Sequence, residues 1–219
     1  MFALFWFLID DVCAMPDNLG NKCDLHEQPR PDSERGFLGE SGLEVQRVFD
    51  DLRADMAFRN KRGLAFLCAG MTYWLLMTVA GLLLSEGWAA VTLLVGAVMI
   101  IPLSTLFSRR IGVRPARYAN PVEEMAGWLL PIQAMFWPVY LMVFAKVPAY
   151  LPQTMSLLMV TPFVVLGYLY GSKAYFHVAV FRWLLCGTFM VFPAHSFVVV
   201  PLLTAGTYGY AAVAVRREV

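Results

Sequence analysis

Acidic side chains are the scarcest functional group in most of this chain. From residue 63 onward only Glu86, Glu123, Glu124 and Glu218 are acidic, so no apolar stretch contains the convergent carboxylates that acid–base chemistry needs. Charge of either sign is thin: 15% of the 219 residues are Asp, Glu, Lys or Arg, against about 25% in an ordinary soluble domain. A formal net charge of +1 lacks the basic excess of a nucleic-acid-binding protein, and no nucleic-acid partner is expected. Four cysteines in 219 residues are too few for a disulfide-built secreted scaffold. Gly-x-Ser-x-Gly, His-Glu-x-x-His and Gly-rich phosphate loops are absent, which removes the common hydrolase, metalloprotease and nucleotide-binding signatures.

What fills the sequence instead is apolar: 59% of residues, with a mean hydropathy of +0.60. A soluble fold of this length could not bury that much, so the lipid bilayer is the expected solvent. A helix crosses the hydrocarbon core with about 20 apolar residues, and six stretches qualify: Leu64–Leu84, Trp88–Phe107, Met125–Ala145, Thr154–Gly171, Ala174–Phe192 and Ser196–Val215. Pro193 and His195 separate the last two. The predicted fold class is an all-α membrane protein with six transmembrane helices. Short loops set its orientation through their basic residues. Arg53, Arg59, Lys61, Arg62, Arg109, Arg110, Arg114, Arg117, Lys173, Arg216 and Arg217 fall on one side and Lys146 alone on the other. Both termini are therefore expected in the cytoplasm. Trp88, Trp128, Tyr150, Tyr168 and Tyr170 lie near predicted helix ends, as an interfacial aromatic belt requires.

Residues 1–62 differ in kind, with 12 acidic and 8 basic side chains against 4 and 9 in residues 63–219. Met1–Ile9 is apolar but has no basic start or small-residue cleavage pattern, so it does not match a signal peptide. From Asp10 to about Glu40 the composition predicts a disordered leader, and a start near Met56 is the alternative. Cys13, Cys23 and His26 are too few and too widely spaced for a zinc site; no metal or cofactor is expected. Between Ser41 and Arg62 a helical pattern returns. Val45, Val48, Phe49, Leu52 and Met56 share one face, Ser41 and Glu44 have capping-box spacing, and Arg47, Asp51, Asp55 and Arg59 form a charged stripe. This predicts an N-terminal amphipathic interfacial helix, lying on the membrane surface or packed on the loops.

Inside the predicted spans Arg182 is the one central charge. An intramembrane ionisable residue defaults to a functional hypothesis, here a site for a small anionic substrate. The structural alternative is that Arg182 binds backbone carbonyls of a neighbouring helix or snorkels to the surface. Span three contains Pro131 and Pro138, seven apart and on one face, with Gln133 between them. Such kinks line cavities in transporters and also occur in ordinary packed spans. Arg182 and Gln133 form the candidate intramembrane polar site, with Pro131 and Pro138 as kink prolines. Ala205, Gly209 and Ala212 share a face of span six, predicting close approach of a helix from the same chain in preference to a homodimer. Cys68 and Cys186 are expected as packing residues, and His177 and Lys173, one turn apart, as headgroup contacts.

Glu123-Glu124 has the pairing of intramembrane CAAX-type proteases, but Met125, Ala126, Gly127 and Trp128 stand where that pattern continues to an arginine. With no convergent ionisable groups, an enzyme is not expected. The run Asp51-Leu-Arg-Ala-Asp-Met-Ala-Phe-Arg-Asn-Lys-Arg-Gly-Leu64, with Asn120-Pro121 and Gly171-Ser172-Lys173-Ala174-Tyr175, resembles a family of small, uncharacterised bacterial integral membrane proteins. The resemblance covers about residues 50–215. It implies fold and location, and transfers no catalytic or binding residue. The expected function is a small transporter or channel with a cavity near Arg182; the alternative is a non-catalytic membrane partner or assembly factor acting through its helix faces and loops.

Overall fold

The computed structural model describes residues 40–113, 120–191 and 195–218. The leader with Cys13, Cys23 and His26, the loop residues Arg114 and Arg117, and Pro193 lie outside the described residues. Among those described, all regular structure is helical. A short helix α1, Glu40–Arg59, precedes α2, Leu64–Leu83. Then follow α3 (Glu86–Ile111), α4 (Pro121–Lys146) and α5 (Pro148–Tyr170), α6 (Lys173–Val191) and α7 (Ser196–Glu218).

Five segments are long and apolar enough to cross a membrane: Lys61–Leu83, Glu86–Ile111, Pro121–Lys146, Pro148–Tyr170 and Ser196–Glu218. The apolar pattern predicts six. The remaining helix, α6, is 19 residues long, carries Lys173, His177 and Arg182, and is not among the five. Helix ends extend beyond the apolar runs. α5 begins at Pro148 instead of Thr154 because Pro148 and Pro152 occupy first-turn positions, where a missing N–H costs nothing.

Prolines deeper in the helices interrupt them. α3 tightens into a 3-10 turn at Ala97–Met99, just before Pro102. α4 breaks at Trp128, three residues before Pro131, and at Met135–Phe136, just before Pro138. α5 breaks at Met159, three residues before Pro162. Proline lacks the N–H and its ring crowds the carbonyl four residues back, so the turn ahead of it opens. The 3-10 turn in α3 itself frees a carbonyl that finds a donor on another helix. The Ala97 N–H turns to Leu94 and Val95, leaving the Leu93 carbonyl to accept the Tyr73 hydroxyl of α2 at 2.7 Å. α7 runs unbroken through Pro201; the Phe197 carbonyl, four residues back, points at Gly81 on α2.

α2 and α7 make the most extensive contact in the fold, with α3 against α2 and α5 and α6 against α7. Bare glycine backbone allows this approach. A Cβ at Gly81 would strike the Phe197 carbonyl oxygen, and one at Gly70 would strike the Tyr208 ring. The small-residue stripe serves the same contact: Ala205 and Ala212 are buried, and a Cβ at Gly209 would stand 3.3 Å from Met71 Sδ. The stripe is thus an internal face. Several threonines within the helices satisfy themselves: Thr72, Thr78, Thr92, Thr105, Thr154 and Thr188 each donate to the carbonyl four residues back. Of the five membrane-length segments α4 is the least buried, with 11% of its most apolar stretch buried against 50% for α2 and α7.

α1 packs its C-terminal half onto the ends of α4 and α5. Met56 is fully buried and Phe49 and Leu52 are partly so, whereas Val45 and Val48, from the same predicted apolar face, are 70% and 54% exposed. The helix is described from Glu40, and the side chain of Ser41, half of the expected capping box, lies outside what is described.

Gly81→Ala should destabilise the fold by about 1–3 kcal/mol, the usual cost of overpacking. Gly187→Ala, where a Cβ meets nothing within 4 Å, should change little. Thermal unfolding of detergent-purified protein compares them, and equal midpoints would refute the account of the α2–α7 contact.

Candidate functional site

Arg182 stands nine residues from each end of α6, about 14 Å from either. It is fully buried. Nη2 donates to the Ser156 carbonyl at 2.9 Å and to Ser156 Oγ at 3.2 Å on α5. Ser156 Oγ and Thr204 Oγ1 of α7 are 2.9 Å apart, and Cys186, one turn beyond Arg182, is buried. The guanidinium carbon sits 5.0 Å from the Phe163 ring centroid and 5.2 Å from that of Tyr208, two rings that meet edge to face at 5.0 Å. Cation–π contacts of about 2 kcal/mol each when desolvated offset much of the several-kcal/mol penalty for burying a charge. They satisfy no N–H bond. Arg182 Nε and Nη1 are buried without a hydrogen-bond partner, and every acid from residue 63 onward lies at a helix end.

Gln133 does not join this group by hydrogen bonding, because both its side-chain polar atoms are buried without a partner. Tyr140 lies seven residues on and so on the same face of α4. Its hydroxyl is also unpartnered, and it lies within electrostatic range of Arg182. The buried interior thus holds a half-used guanidinium on α6 and, separately, unpartnered polar atoms of Gln133 and Tyr140 on α4. Ser156, Thr204, Phe163, Tyr208 and Tyr140 escape motif reading. The observed bounds place the two hydroxyls at the depth of Arg182, Ser156 and Thr204 each standing eight residues from the start of their segments and Arg182 nine from the end of α6; a span beginning at Thr154 would have put Ser156 near its end.

A second constellation gathers at the bundle end that carries α1, and it contains the residues of the sequence resemblance. Arg59 pairs with Asp55 at 2.9 Å and lies 3.1 Å from Glu123 of α4. Asn120 caps α4 by accepting the Val122 N–H at 2.9 Å and donates to the Leu52 carbonyl at 3.1 Å and to Asp55 at 3.3 Å. Hydrogen bonds from Arg59 hold the Asp55 carboxyl below its ordinary pKa against a smaller opposing effect of burial, with the Arg59 charge and Asn120 assisting. Arg59 is raised in turn, chiefly by its bond to Asp55.

Arg53 donates to the Tyr168 and Leu169 carbonyls and lies 4.8 Å from the Tyr168 ring, placing positive charge at the negative end of α5. Gly171, at φ 62°, ends that helix in the left-handed conformation that glycine adopts most readily. Lys61 caps α3 through the Ile111 carbonyl at 2.7 Å. Lys61, Arg62 and Gly63 have φ of 45°, 49° and 75°, a left-handed turn pinned by the Tyr175 hydroxyl on the Arg62 carbonyl at 2.6 Å and by Arg62 to Glu218 at 2.9 Å. The sequence reading takes these cations as topology signals alone; the structure also uses them as helix caps.

Asp50, Arg53, Arg62, Tyr170 and Glu218 line a recess of about 360 Å³ at this end, and a groove of about 520 Å³ lies between α6 and α7. Neither reaches Arg182, so the expected cavity beside it is not one of these two. Among the described residues no three of His, Cys, Asp and Glu come together as a metal site.

With all regular structure among the described residues helical and five segments of membrane length, the chain is built as a membrane protein. It belongs to the family described as "Family of unknown function (DUF7010)", whose model matches residues 49–218, in keeping with the resemblance carried by Asp51–Leu64, Asn120-Pro121 and Gly171–Tyr175. No curated protein and no solved structure matches it.

Because the folded Asp55 pKa is depressed, its contribution to stability is present above the unfolded carboxylate value of about 4 and is lost as pH falls through the lower folded value. The pair is partly exposed, so the effect is modest. Asp55→Asn should lower the unfolding midpoint at pH 7 and narrow its gap to wild type below pH 4. A constant gap across that range would contradict the assignment.

Proposed function

We propose that the protein crosses the bacterial cytoplasmic membrane six times, with both termini in the cytoplasm, and binds a small anionic group at Arg182 as a non-catalytic transporter or channel. α6, at 19 residues, is about 28 Å long, close to the roughly 30 Å hydrocarbon thickness, which supports counting it as a span. The basic loop residues favour the α1 end as cytoplasmic. On this reading the exposed Val45 and Val48 of α1 face lipid headgroups.

The observation that carries the anion site is the buried Arg182 with Nε and Nη1 unpartnered in a bundle with no interior carboxylate. A buried cation of this kind calls for an anion. Access would come through α4, the least buried segment, which is broken ahead of Pro131 and Pro138 and presents Gln133 and Tyr140. Thermal unfolding in detergent, with acetate, phosphate or gluconate at matched ionic strength, tests the site. At a hundredfold excess over its dissociation constant a bound anion stabilises by about 2.7 kcal/mol. Acetate or phosphate should raise the midpoint of wild type, and Arg182→Leu should remove the response while remaining folded. No rise with any small anion overturns the site, and an unfolded Arg182→Leu with an unresponsive wild type makes Arg182 a structural cross-link.

Exposed Trp128, Met135 and Met142 on α4 favour a second reading, a membrane-protein partner seated on that helix. Affinity purification from native membrane should then recover a stoichiometric partner, and a lone monomer counts against it. Topology has a separate check: reporters fused after Glu86, Lys146 and Val219 should read outside, outside and inside, and any reversal overturns the orientation.

A further inference from the structure

The groove between α6 and α7 is walled by Val178, Phe181, Leu202, Leu203 and Tyr210, with His177 and Gly206 also on its lining. Gly206 keeps it open, because nothing lies within 4 Å of where its Cβ would stand. Phe181, Leu202 and Tyr210 are exposed along it, so it faces outward from the bundle. Its volume, about 520 Å³, falls within the roughly 300–1,000 Å³ range of sites that enclose small ligands.

One end of this groove is basic. Lys173, His177 and Phe181 follow one another at four-residue intervals along α6, and Arg217 lies seven residues beyond Tyr210 on α7, so each helix carries its groove face into a cation. Lys173, His177 and Arg217 are exposed, and no acidic residue lines the groove. From Arg217 to Leu202 α7 rises about 22 Å, enough for a headgroup and one hydrocarbon leaflet of about 15 Å.

We propose that the groove seats an acyl chain of one anionic phospholipid from the leaflet at the α1 end, with its phosphate held by Lys173, His177 and Arg217. The proposal rests on the membrane-spanning reading of α6 and α7 and is independent of the Arg182 site. The apolar walls bind the chain, and the cations select its headgroup.

Native mass spectrometry of the full chain released from mild detergent, with phosphatidylglycerol or phosphatidylcholine of identical chains added, reads the retained lipid. Wild type should retain phosphatidylglycerol preferentially. Gly206→Leu should fill the groove and abolish that retention at an unchanged unfolding midpoint. The Lys173→Gln and Arg217→Gln variants should each lose about fivefold in preference, the effect of one basic residue near an anionic surface. Equal retention of the two lipids by wild type, or undiminished preference in the Lys173→Gln/Arg217→Gln double variant, overturns the proposal even if Gly206→Leu fails to fold. Glycerol phosphate competing as well as the intact lipid would also overturn it, because the acyl chain would then contribute nothing. A reversed topology reporter would instead undo the membrane reading beneath it.

Discussion

The contact between α2 and α7 organises the bundle because two glycines on α2 let side chain and backbone of α7 reach its main chain. Gly70 receives the Tyr208 ring and Gly81 receives the Phe197 carbonyl. Without a hydrophobic drive between apolar helices in lipid, close backbone approach supplies the attraction. Tyr208, once seated on Gly70, is placed against Phe163 and beside Arg182. The polar centre of the molecule therefore depends on a packing decision made on a different helix.

That centre is the exception to a general rule of self-sufficiency. Thr72, Thr78, Thr92, Thr105, Thr154 and Thr188 return their hydroxyls to their own helices, and Tyr73 repairs the carbonyl opened at the α3 turn. Arg182, Gln133 and Tyr140 are not repaired in this way. Two of these three are on α4, the segment with the least support from its neighbours. Trp74 Nε1 on the well-packed α2 and Ser172 Oγ are unpartnered as well, so unmet polar capacity is not confined to the weakly packed helix.

Much of the fold is legible in the sequence because apolar length and proline position act locally. The all-helical class, the five membrane-length segments, the breaks near Pro102, Pro131, Pro138 and Pro162, and the internal use of Ala205, Gly209 and Ala212 follow from such local rules, whereas α7 continues through Pro201. The partners of Arg182 do not, since Ser156 and Thr204 meet it only after three helices align in depth. Nor does the outward exposure of Val45 and Val48, where tertiary packing reaches only the second half of α1. At the basic end, Asn120, Gly171 and Tyr175 stand out in the sequence as short motifs. Their work as an N-cap, a left-handed helix stop and a pin on the Arg62 carbonyl depends on three-dimensional neighbours that spacing does not encode.

The left-handed turn at Lys61–Gly63 has a further consequence. For Lys61 and Arg62 that conformation costs about 1–2 kcal/mol each, and glycine would adopt it more cheaply. Glycine could not, however, reach the end of α3 or the acid on α7. The two side chains therefore tie the left-handed turn to helices that come later in the sequence, Ile111 being supplied by α3 and Glu218 by the last turn of α7. During synthesis from the N-terminus the hinge between α1 and α2 has no complete set of partners until the chain is nearly finished. Its final angle is thus among the last features of the protein to be fixed.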